Sequence, residues 1–407
     1  MIPITTITGN IFSPDFQFHK GKLFIENDSI AKVEYASSPD NAENCYIIPG
    51  LIDIHFHGCM GNDFCDGTLD SLDAIAKQEA AWGVTGICPA SMTLPPERLC
   101  SIMKNAHDFC FTGNSSNTIS CDSDVIHAGS NMSNHAADIL GIHMEGPFLS
   151  FAKKGAQNAA YLHKPDVTLF QQLQNISGGL IKLVDIAPEE EGALAFIRQV
   201  SSSCAVSLAH TAADYRTCMK AFQAGATHVS HLFNAMNPFS HREPGLPGAA
   251  FDTPDCDVEL ICDGIHLSPA AVRMAFRLFS DEHIILISDS MMATGMPDGT
   301  YTLGDQYVSV RGNLATLADS TTPASDASAT GATIAGSVTH LADCVRKAVS
   351  FGIPLESAIR CATANPARSI GCDDSYGFLK SGYAANVVIL NPDLSLKNVI
   401  LRGVQII

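Results

Sequence analysis

The 407-residue sequence lacks several features that mark whole classes of protein. It contains no run of 18 apolar residues, so no membrane-spanning helix is expected, and its first ten residues lack the basic start and apolar core of a signal peptide. Basic residues are few, because 24 Lys and Arg stand against 42 Asp and Glu, for a formal net charge of -18. Nucleic acid and anionic membranes are therefore poor partners, although local cations could still bind a small anionic substrate.

The cysteines also lack any pattern typical of a disulfide framework. Fourteen are scattered along the chain, and none forms a Cys-x-x-Cys pair. In a long chain without an export signal, this distribution indicates reduced thiols in the cytoplasm, most of them small core residues. The composition, 46% hydrophobic and 16% charged, predicts a large buried core.

Short strands and turns at both ends of the chain enclose a different middle. Residues 1–48 and 382–407 carry apolar or alternating segments that are typical of strands. We predict that the two ends form one small β-sandwich domain. Residues 49–381 alternate apolar strands with helical stretches, which is the pattern of a parallel α/β fold.

Eight strand candidates follow one another in the middle of the chain, as a closed (β/α)8 TIM-like barrel requires. They begin near Ile47, Gly83, Ile139, Leu180, Ala205, Thr227, Val258 and Ile284. The pattern alone also allows an open doubly wound sheet. Small polar residues dominate 112–137 and 318–331, which predicts a surface insertion and a flexible segment.

One strand candidate ends in two histidines. His55 and His57 are two residues apart, so both rings point to one face of the strand. Asp53 shares that face, and we expect it to orient one of the rings. Taken alone, a His-x-His pair is about as often part of a polar barrel interior as a metal site.

Four more residues of metal-ligand type each lie at the end of a predicted strand: Glu145, His210, His231 and Asp289. A barrel gathers the carboxyl ends of its strands at one rim, so these residues should converge with the histidine pair. Four imidazoles and two carboxylates suit a pair of borderline-soft divalent cations. Each residue alone is more often structural, but five strand ends together favour a metal site.

The order of these residues resembles that of the amidohydrolase superfamily, and several stretches resemble the N-acetylglucosamine-6-phosphate deacetylase family within it. The stretches are His143-Met-Glu-Gly-Pro147, Lys153-Lys-Gly-Ala156, Ala209-His-Thr211, His231-Leu-Phe-Asn-Ala-Met236, Arg242-Glu-Pro-Gly245, Asp263-Gly-Ile-His266 and Ala335-Gly-Ser337. The resemblance covers almost the whole chain, including both β-rich ends.

The resemblance implies hydrolysis of the N-acetyl group of N-acetyl-D-glucosamine 6-phosphate by a metal-activated hydroxide, in amino-sugar catabolism. Some deacetylases of the family lack His-x-His and hold one metal; this chain keeps the pair, which implies two divalent metals, zinc before iron. Glu145 is the implied bridging ligand, because Lys182, the lysine of the fourth strand, lies near its start, at the wrong rim. The resemblance also suggests a homodimer.

Two residues are expected to act in catalysis. Asp289 would accept the proton of the attacking water and pass it to the leaving amine, with a plain role as metal ligand as the alternative. His266 would hydrogen-bond the amide oxygen as it becomes an oxyanion, unless it is a satisfied core histidine. His143 is interpreted as a residue that lines the barrel behind the ligands.

The remaining expectations concern the substrate. The phosphate would bind Arg242 and the backbone N–H groups of Asn234 and Ala235, unless Arg242 pairs with Glu243 on the surface. Further residues are expected near the sugar and its acetyl group by resemblance: Ala156, Gln157, Ile334, Ala335 and Gly336. The family commonly has His where this chain has Gln157, which leaves N-acetylgalactosamine 6-phosphate or another amide as alternatives. A non-catalytic scaffold is the other alternative.

Overall fold

The structure is a computed structural model that describes residues 5–36, 44–111, 135–318 and 333–407. The insertion predicted at 112–137 lies outside the described residues except for its last three, and so does the flexible segment predicted at 318–331 except for Ala318. Among the helices in the described ranges, none is long and apolar enough to cross a membrane.

Strands and helices alternate along most of the chain. The described strands are β1 (Thr5–Phe12), β2 (Phe18–Glu26), β3 (Ser29–Tyr35), β4 (Tyr46–Pro49), β5 (Leu51–Phe56), β6 (Gly58–Cys59), β7 (Asn62–Asp63), β8 (Val84–Ser91), β9 (Asp138–Ile139), β10 (Ile142–Met144), β11 (Ile181–Ile186), β12 (Ala205–Leu208), β13 (His228–Val229), β14 (Asp257–Ile261), β15 (Ile284–Ile287), β16 (Gly299–Leu303), β17 (Gln306–Arg311), β18 (Leu314–Leu317), β19 (Val387–Leu390), β20 (Leu396–Leu401) and β21 (Val404–Gln405). The described α-helices are α1 (Leu69–Ala81), α2 (Pro96–Phe111), α3 (Val167–Ile176), α4 (Ala193–Val200), α5 (Tyr215–Ala224), α6 (Gly245–Phe251), α7 (Pro269–Phe279), α8 (Leu341–Ser350), α9 (Leu355–Cys361) and α10 (Ala364–Ser369).

Both ends of the chain contribute to one seven-stranded sheet, in the order β21-β20-β19-β4-β1-β2-β3. Its edge strand β3 bonds back to the segment before β19, because the Ile30 N–H donates to the Tyr383 carbonyl at 2.8 Å. The sheet therefore curves around an apolar core of its own, which includes Leu23, Ile47 and Val387. The predicted small β domain built from both termini is confirmed, while its boundaries at 48/49 and 381/382 stay predictions.

A parallel barrel occupies the middle of the chain, with the strand order β5-β8-β10-β11-β12-β13-β14-β15. The last strand returns to the first just beyond their named ends. The Asp289 N–H donates to the His55 carbonyl at 2.9 Å, and the His57 N–H donates to the Ser290 carbonyl at 2.7 Å. These bonds complete a nearly closed eight-stranded barrel. The predicted (β/α)8 fold is confirmed, and the alternative of an open doubly wound sheet is wrong.

The first barrel strand begins later than predicted. The apolar run from Tyr46 to Phe56 is divided at Gly50: β4 joins the terminal sheet, and only β5 enters the barrel. A side chain at Gly50 would meet the Thr85 hydroxyl at 1.9 Å, so glycine lets the two segments pass close to the second barrel strand. The first barrel strand therefore begins at Leu51, four residues after the predicted Ile47, whereas the last strand begins at Ile284 as predicted.

Local sequence signals explain where several barrel helices begin. The side chains of Thr68, Asp166, Asp214 and Ser268 accept backbone N–H groups at the start of α1, α3, α5 and α7. The apolar faces of these helices cover the strands, in a core that runs around the barrel. The strand ends are thereby held in a fixed ring.

Candidate metal centre

The four residues predicted at strand ends all lie at one rim of the barrel. Glu145 directly follows β10, and His210, His231 and Asp289 follow β12, β13 and β15 by two residues each. These last three have positive φ angles of 43°, 33° and 48°, which side chains other than glycine rarely adopt. The four side chains are buried, and the backbone turns bring them together with the histidine pair of β5.

Glu145 lies at the centre of this group. Its Oε1 is 3.0 Å from His210 Nε2, 3.4 Å from His231 Nε2 and 3.6 Å from His55 Nε2. Its Oε2 is 3.3 Å from His57 Nε2. One carboxylate thus faces all four imidazoles, which is the position that a bridging ligand needs.

The remaining contacts divide the group into two sets of three. His57 Nε2 lies 3.2 Å from Asp289 Oδ1, and His55, His57 and Asp289 form one set. Glu145, His210 and His231 form the other set. Imidazole nitrogens and carboxylate oxygens are the donors that zinc and related divalent cations prefer.

The ring nitrogens of the site are better placed to bind a cation than to hydrogen-bond with one another. His210 Nε2 and His231 Nε2 face each other at 3.1 Å, and at most one of them can donate to the other. His55 Nε2 is fully buried and has no hydrogen-bond partner among the described residues. Buried polar atoms are normally paired, so these nitrogens are well placed to be metal ligands.

Neighbouring charged and polar groups shift the pKa values of Glu145 and His55. Burial alone would raise the pKa of Glu145, but the close imidazoles of His210, His231 and His55 hold it well below its usual range. Burial alone would lower the pKa of His55, but the charge of Glu259 and its contacts with the carboxylates of Glu145 and Glu259 raise it well above its usual value. Both shifts favour a proton on the imidazole rather than on the carboxylate. A bound cation would displace that proton.

Each of the four histidines except His231 is oriented through its other ring nitrogen. His57 Nδ1 donates to the Ala90 carbonyl at 3.2 Å, and His210 Nδ1 donates to the Lys153 carbonyl at 2.9 Å. A carbonyl only accepts, so Nδ1 carries a proton, and the neutral form of each ring offers its Nε2 lone pair to a cation. His231 differs, because no described residue bonds its Nδ1.

His55 is oriented by Glu259, which sequence reasoning missed. The His55 Nδ1–H donates to Glu259 Oε2 at 2.7 Å. The expectation that Asp53 orients a ring is wrong, because Asp53 accepts the His55 backbone N–H at 3.2 Å and the Ser288 hydroxyl at 2.5 Å. Asp53 therefore joins the first and last barrel strands. The available signal for Glu259 was a glutamate inside the otherwise apolar run Val258–Ile261.

Two other residues take the structural positions expected of them. His143 lies within the barrel, with Nδ1 3.2 Å from the Ile54 carbonyl and Nε2 3.0 Å from Asp185 Oδ1. Lys182 is the second residue of β11 and packs beside Gly141, before the strand β10 begins. Its position is thus at the opposite end of the barrel from Glu145.

A cavity of about 300 Å³ opens over the metal-ligand group. Most of the predicted substrate residues line it together with the ligands: His57, Glu145, Ala156, Gln157, His210, His231, Asn234, Ala235, His266, Asp289, Ile334 and Gly336. Five lining residues were not predicted: Met92, Gly155, Phe233, Leu303 and Thr333. His55 and Ala335 are fully buried behind the wall.

The polar groups of Gln157 are already engaged by the protein. Its Nε2 donates to Glu145 Oε2 at 2.8 Å, and its Oε1 accepts the Thr93 N–H at 2.7 Å. His266 is held by Asp263, whose carboxylate oxygens accept its Nδ1–H at 2.7 Å and its backbone N–H at 2.8 Å. His266 Nε2 bonds none of the described residues.

The residues expected to hold the phosphate are only partly gathered. The Asn234 N–H donates to the His231 carbonyl at 2.9 Å, so it is not available, whereas no described residue accepts the Ala235 N–H. Arg242 is exposed, lies outside the cavity wall and forms no ion pair with another described residue. Glu243 instead accepts the Tyr215 N–H at 3.1 Å, so the surface pair of Arg242 and Glu243 is not formed.

Comparisons with known proteins agree with this geometry. The profile of the amidohydrolase family matches residues 46–406. The chain is 34% identical over 385 residues to the N-acetylglucosamine-6-phosphate deacetylase of Bacillus subtilis (strain 168), covering 94% of this chain and 90% of that protein. It is 33% identical to the N-acetylgalactosamine-6-phosphate deacetylase of Escherichia coli O157:H7, covering 88% and 86%. A mutant N-acetyl-D-glucosamine-6-phosphate deacetylase of Mycobacterium smegmatis, solved in complex with N-acetyl-D-glucosamine 6-phosphate, superposes with a TM-score of 0.86 at 30% identity, covering 99% of both chains.

Proposed function

The chain belongs to the amidohydrolase family, and from that premise we propose that it is a metal-dependent deacetylase of N-acetyl-D-glucosamine 6-phosphate. The products are D-glucosamine 6-phosphate and acetate. The proposal rests on the convergence of four imidazoles and two carboxylates beneath one cavity. It is supported by relatives that are named as N-acetylglucosamine-6-phosphate deacetylases.

We place two divalent cations in this site, zinc before iron. His55, His57 and Asp289 would hold one, and Glu145, His210 and His231 the other. Glu145 would be the residue shared by both, because its two oxygens face both histidine pairs. A bound divalent cation lowers the pKa of water toward neutrality and polarises a carbonyl group.

The protein's own groups then move the protons. Asp289 borders the cavity beside His57, where it accepts a proton from the attacking water and delivers it to the nitrogen of the leaving amine. His266 lines the same cavity and is anchored through Nδ1 to Asp263, so a proton on its Nε2 would be donated to the amide oxygen.

The cavity also supplies separate surroundings for the parts of the substrate. Ile334 and Gly336, backed by Ala335, form an apolar wall that suits the acetyl methyl group, and Ala156 and Gln157 lie on the sugar side. The phosphate would be bound by the unpaired N–H of Ala235, near Asn234, and by Arg242. Arg242 must reach the phosphate from outside the cavity wall. A homodimer and a cytoplasmic location remain predictions.

A substrate panel tests the proposal. We expect the purified, metal-loaded protein to release acetate from N-acetylglucosamine 6-phosphate with a higher kcat/KM than from N-acetylgalactosamine 6-phosphate or unphosphorylated N-acetylglucosamine. The galactosamine sugar is the second candidate, because a relative named for it is 33% identical. A preference for that sugar would reverse the assignment, and no acetate from any of the three would favour a scaffold.

A further inference from the structure

Glu259 is a buried carboxylate to which the reaction described above assigns no part. It lies in β14 and is completely shielded from solvent. Its Oε2 accepts His55 Nδ1 at 2.7 Å and the backbone N–H of His231 at 3.1 Å, and its Oε1 accepts His228 Nε2 at 3.1 Å. One side chain therefore contacts a member of each ligand set.

The contact with His55 differs in kind from those of the other ligand histidines. His57 and His210 are oriented by the neutral carbonyls of Ala90 and Lys153, whereas His55 is oriented by an anion. A carboxylate behind a histidine fixes the proton on Nδ1 and makes Nε2 a stronger donor to a metal. The unpartnered Nε2 of His55 is the atom on which this effect acts.

Charge adds to the effect of geometry. Glu145 and Asp289 supply two negative charges to the site, against four positive charges on two divalent cations. Glu259 adds a third negative charge directly behind His55, in surroundings where an unbalanced buried charge is costly. Because Glu259 contacts the ring of His55, its charge acts mainly on a cation held by the set of His55, His57 and Asp289.

The backbone contact with His231 acts in the same direction. His231 has a φ of 33°, a conformation that must be held by its surroundings. The hydrogen bond from its N–H to Glu259 helps to hold it.

We propose that Glu259 is a positioning residue that allows the His55–His57 side of the centre to hold its metal, and so separates a two-metal site from a one-metal site. The proposal rests on the proposed metal-dependent function. It concerns the number and affinity of the bound cations, which can be measured without any substrate.

The test compares Glu259→Gln with Asp257→Asn. Both remove a buried carboxylate of β14, but Asp257 is paired with Arg368 at 2.6 Å at the start of the strand, away from the site. Metal per chain is measured by elemental mass spectrometry, and the zinc affinity of each site is measured by competition with a chelator. Circular dichroism checks the fold of each variant.

We expect two zinc ions per chain in the wild type and in Asp257→Asn. In Glu259→Gln we expect one tightly bound ion and a second bound about 10- to 100-fold more weakly. Equal second-site affinity in Glu259→Gln and the wild type would overturn the proposal, and so would equal loss of both ions or a wild type that binds only one.

A second variant covers the case in which Glu259→Gln does not fold. Glu259→Asp keeps the charge but withdraws the carboxylate from His55 Nδ1, and we expect the same selective loss of the second ion. Acetate release by the wild type is measured in parallel. Two metals in a wild type without deacetylase activity would contradict the proposed function and leave this inference standing, whereas active enzyme with unchanged metal binding in both variants would do the reverse.

Discussion

The backbone N–H of Asp289 donates to the carbonyl of His55 at 2.9 Å, which joins the last barrel strand to the first at the metal centre. The same bond sets the Asp289 carboxylate beside the ring of His57, with 3.2 Å between Oδ1 and Nε2. The contact that closes the barrel therefore also brings Asp289 into the site. Asp289, after the eighth barrel strand β15, thus becomes a neighbour of residues more than 200 positions earlier in the chain.

Glu145→Ala should lose both metal and activity, because it removes the carboxylate that faces all four histidines. Lys182→Ala is the matched control, since Lys182 lies at the other end of the barrel, and it should keep both. Metal analysis and acetate release measure the two properties. Loss of metal in Lys182→Ala, with Glu145→Ala unaffected, would place the bridging ligand on β11, the fourth strand of the barrel.

Asp289→Asn should fold and yet lose kcat by more than about a hundredfold, the scale of a positioned acid–base group. The amide is isosteric and keeps the backbone bond to His55, but it cannot accept a proton. Steady-state kinetics and circular dichroism on the same preparation separate catalysis from folding. Turnover near the wild-type rate would show that Asp289 has no proton-transfer role.

Arg242→Ala should lower kcat/KM on N-acetylglucosamine 6-phosphate by about ten- to a hundredfold, as expected for a charge-assisted bond of about 1.5–3 kcal/mol. It should barely change the weak activity on unphosphorylated N-acetylglucosamine. The two substrates and two enzymes form a cycle that isolates phosphate recognition from general damage. Equal losses on both sugars would assign Arg242 a structural role.

Metal affinity should fall as the pH falls. Burial alone would lower the pKa of His57, but its hydrogen bond with Asp289 and the charge of Glu145 raise it, and Glu145 raises the pKa of His231 in the same way. Below these raised values, protons occupy the nitrogens that a cation needs, so binding weakens toward low pH. Chelator competition at about pH 6 and about pH 8 should show more than a tenfold difference. Equal affinities at the two values would contradict this.

Much of the fold and of the ligand group follows from local sequence. Apolar strands that end in Glu145, His210, His231 and Asp289 predict convergence, because a parallel barrel brings those ends to one rim whatever the details of packing. The division of the first strand at Gly50 was not predictable in the same way. Both halves are mostly buried and rich in apolar residues, and the close contact of Gly50 with Thr85 marks where one sheet stops and the other begins.

The partners behind the ligands were harder to predict. Asp53 and Glu259 are both buried acids in barrel strands, and only the three-dimensional register decides which one meets the His55 ring. The shared strand face favours Asp53, but Glu259, 204 positions from His55, makes the contact. The side-chain direction of Arg242 depends on a surface loop, so its role in phosphate binding stays a prediction. The roles of the other site residues stay predictions as well.

The central claim is that bound metal makes this chain a deacetylase, and a metal-reconstitution assay tests it most directly. Protein stripped with a chelator is titrated with zinc while acetate and glucosamine 6-phosphate formed from N-acetylglucosamine 6-phosphate are followed by proton NMR. The account predicts no turnover in the stripped protein, equal amounts of the two products once zinc is added, and a maximum at two equivalents per chain. Full turnover by the stripped protein, or no products from the fully zinc-loaded protein, would contradict it.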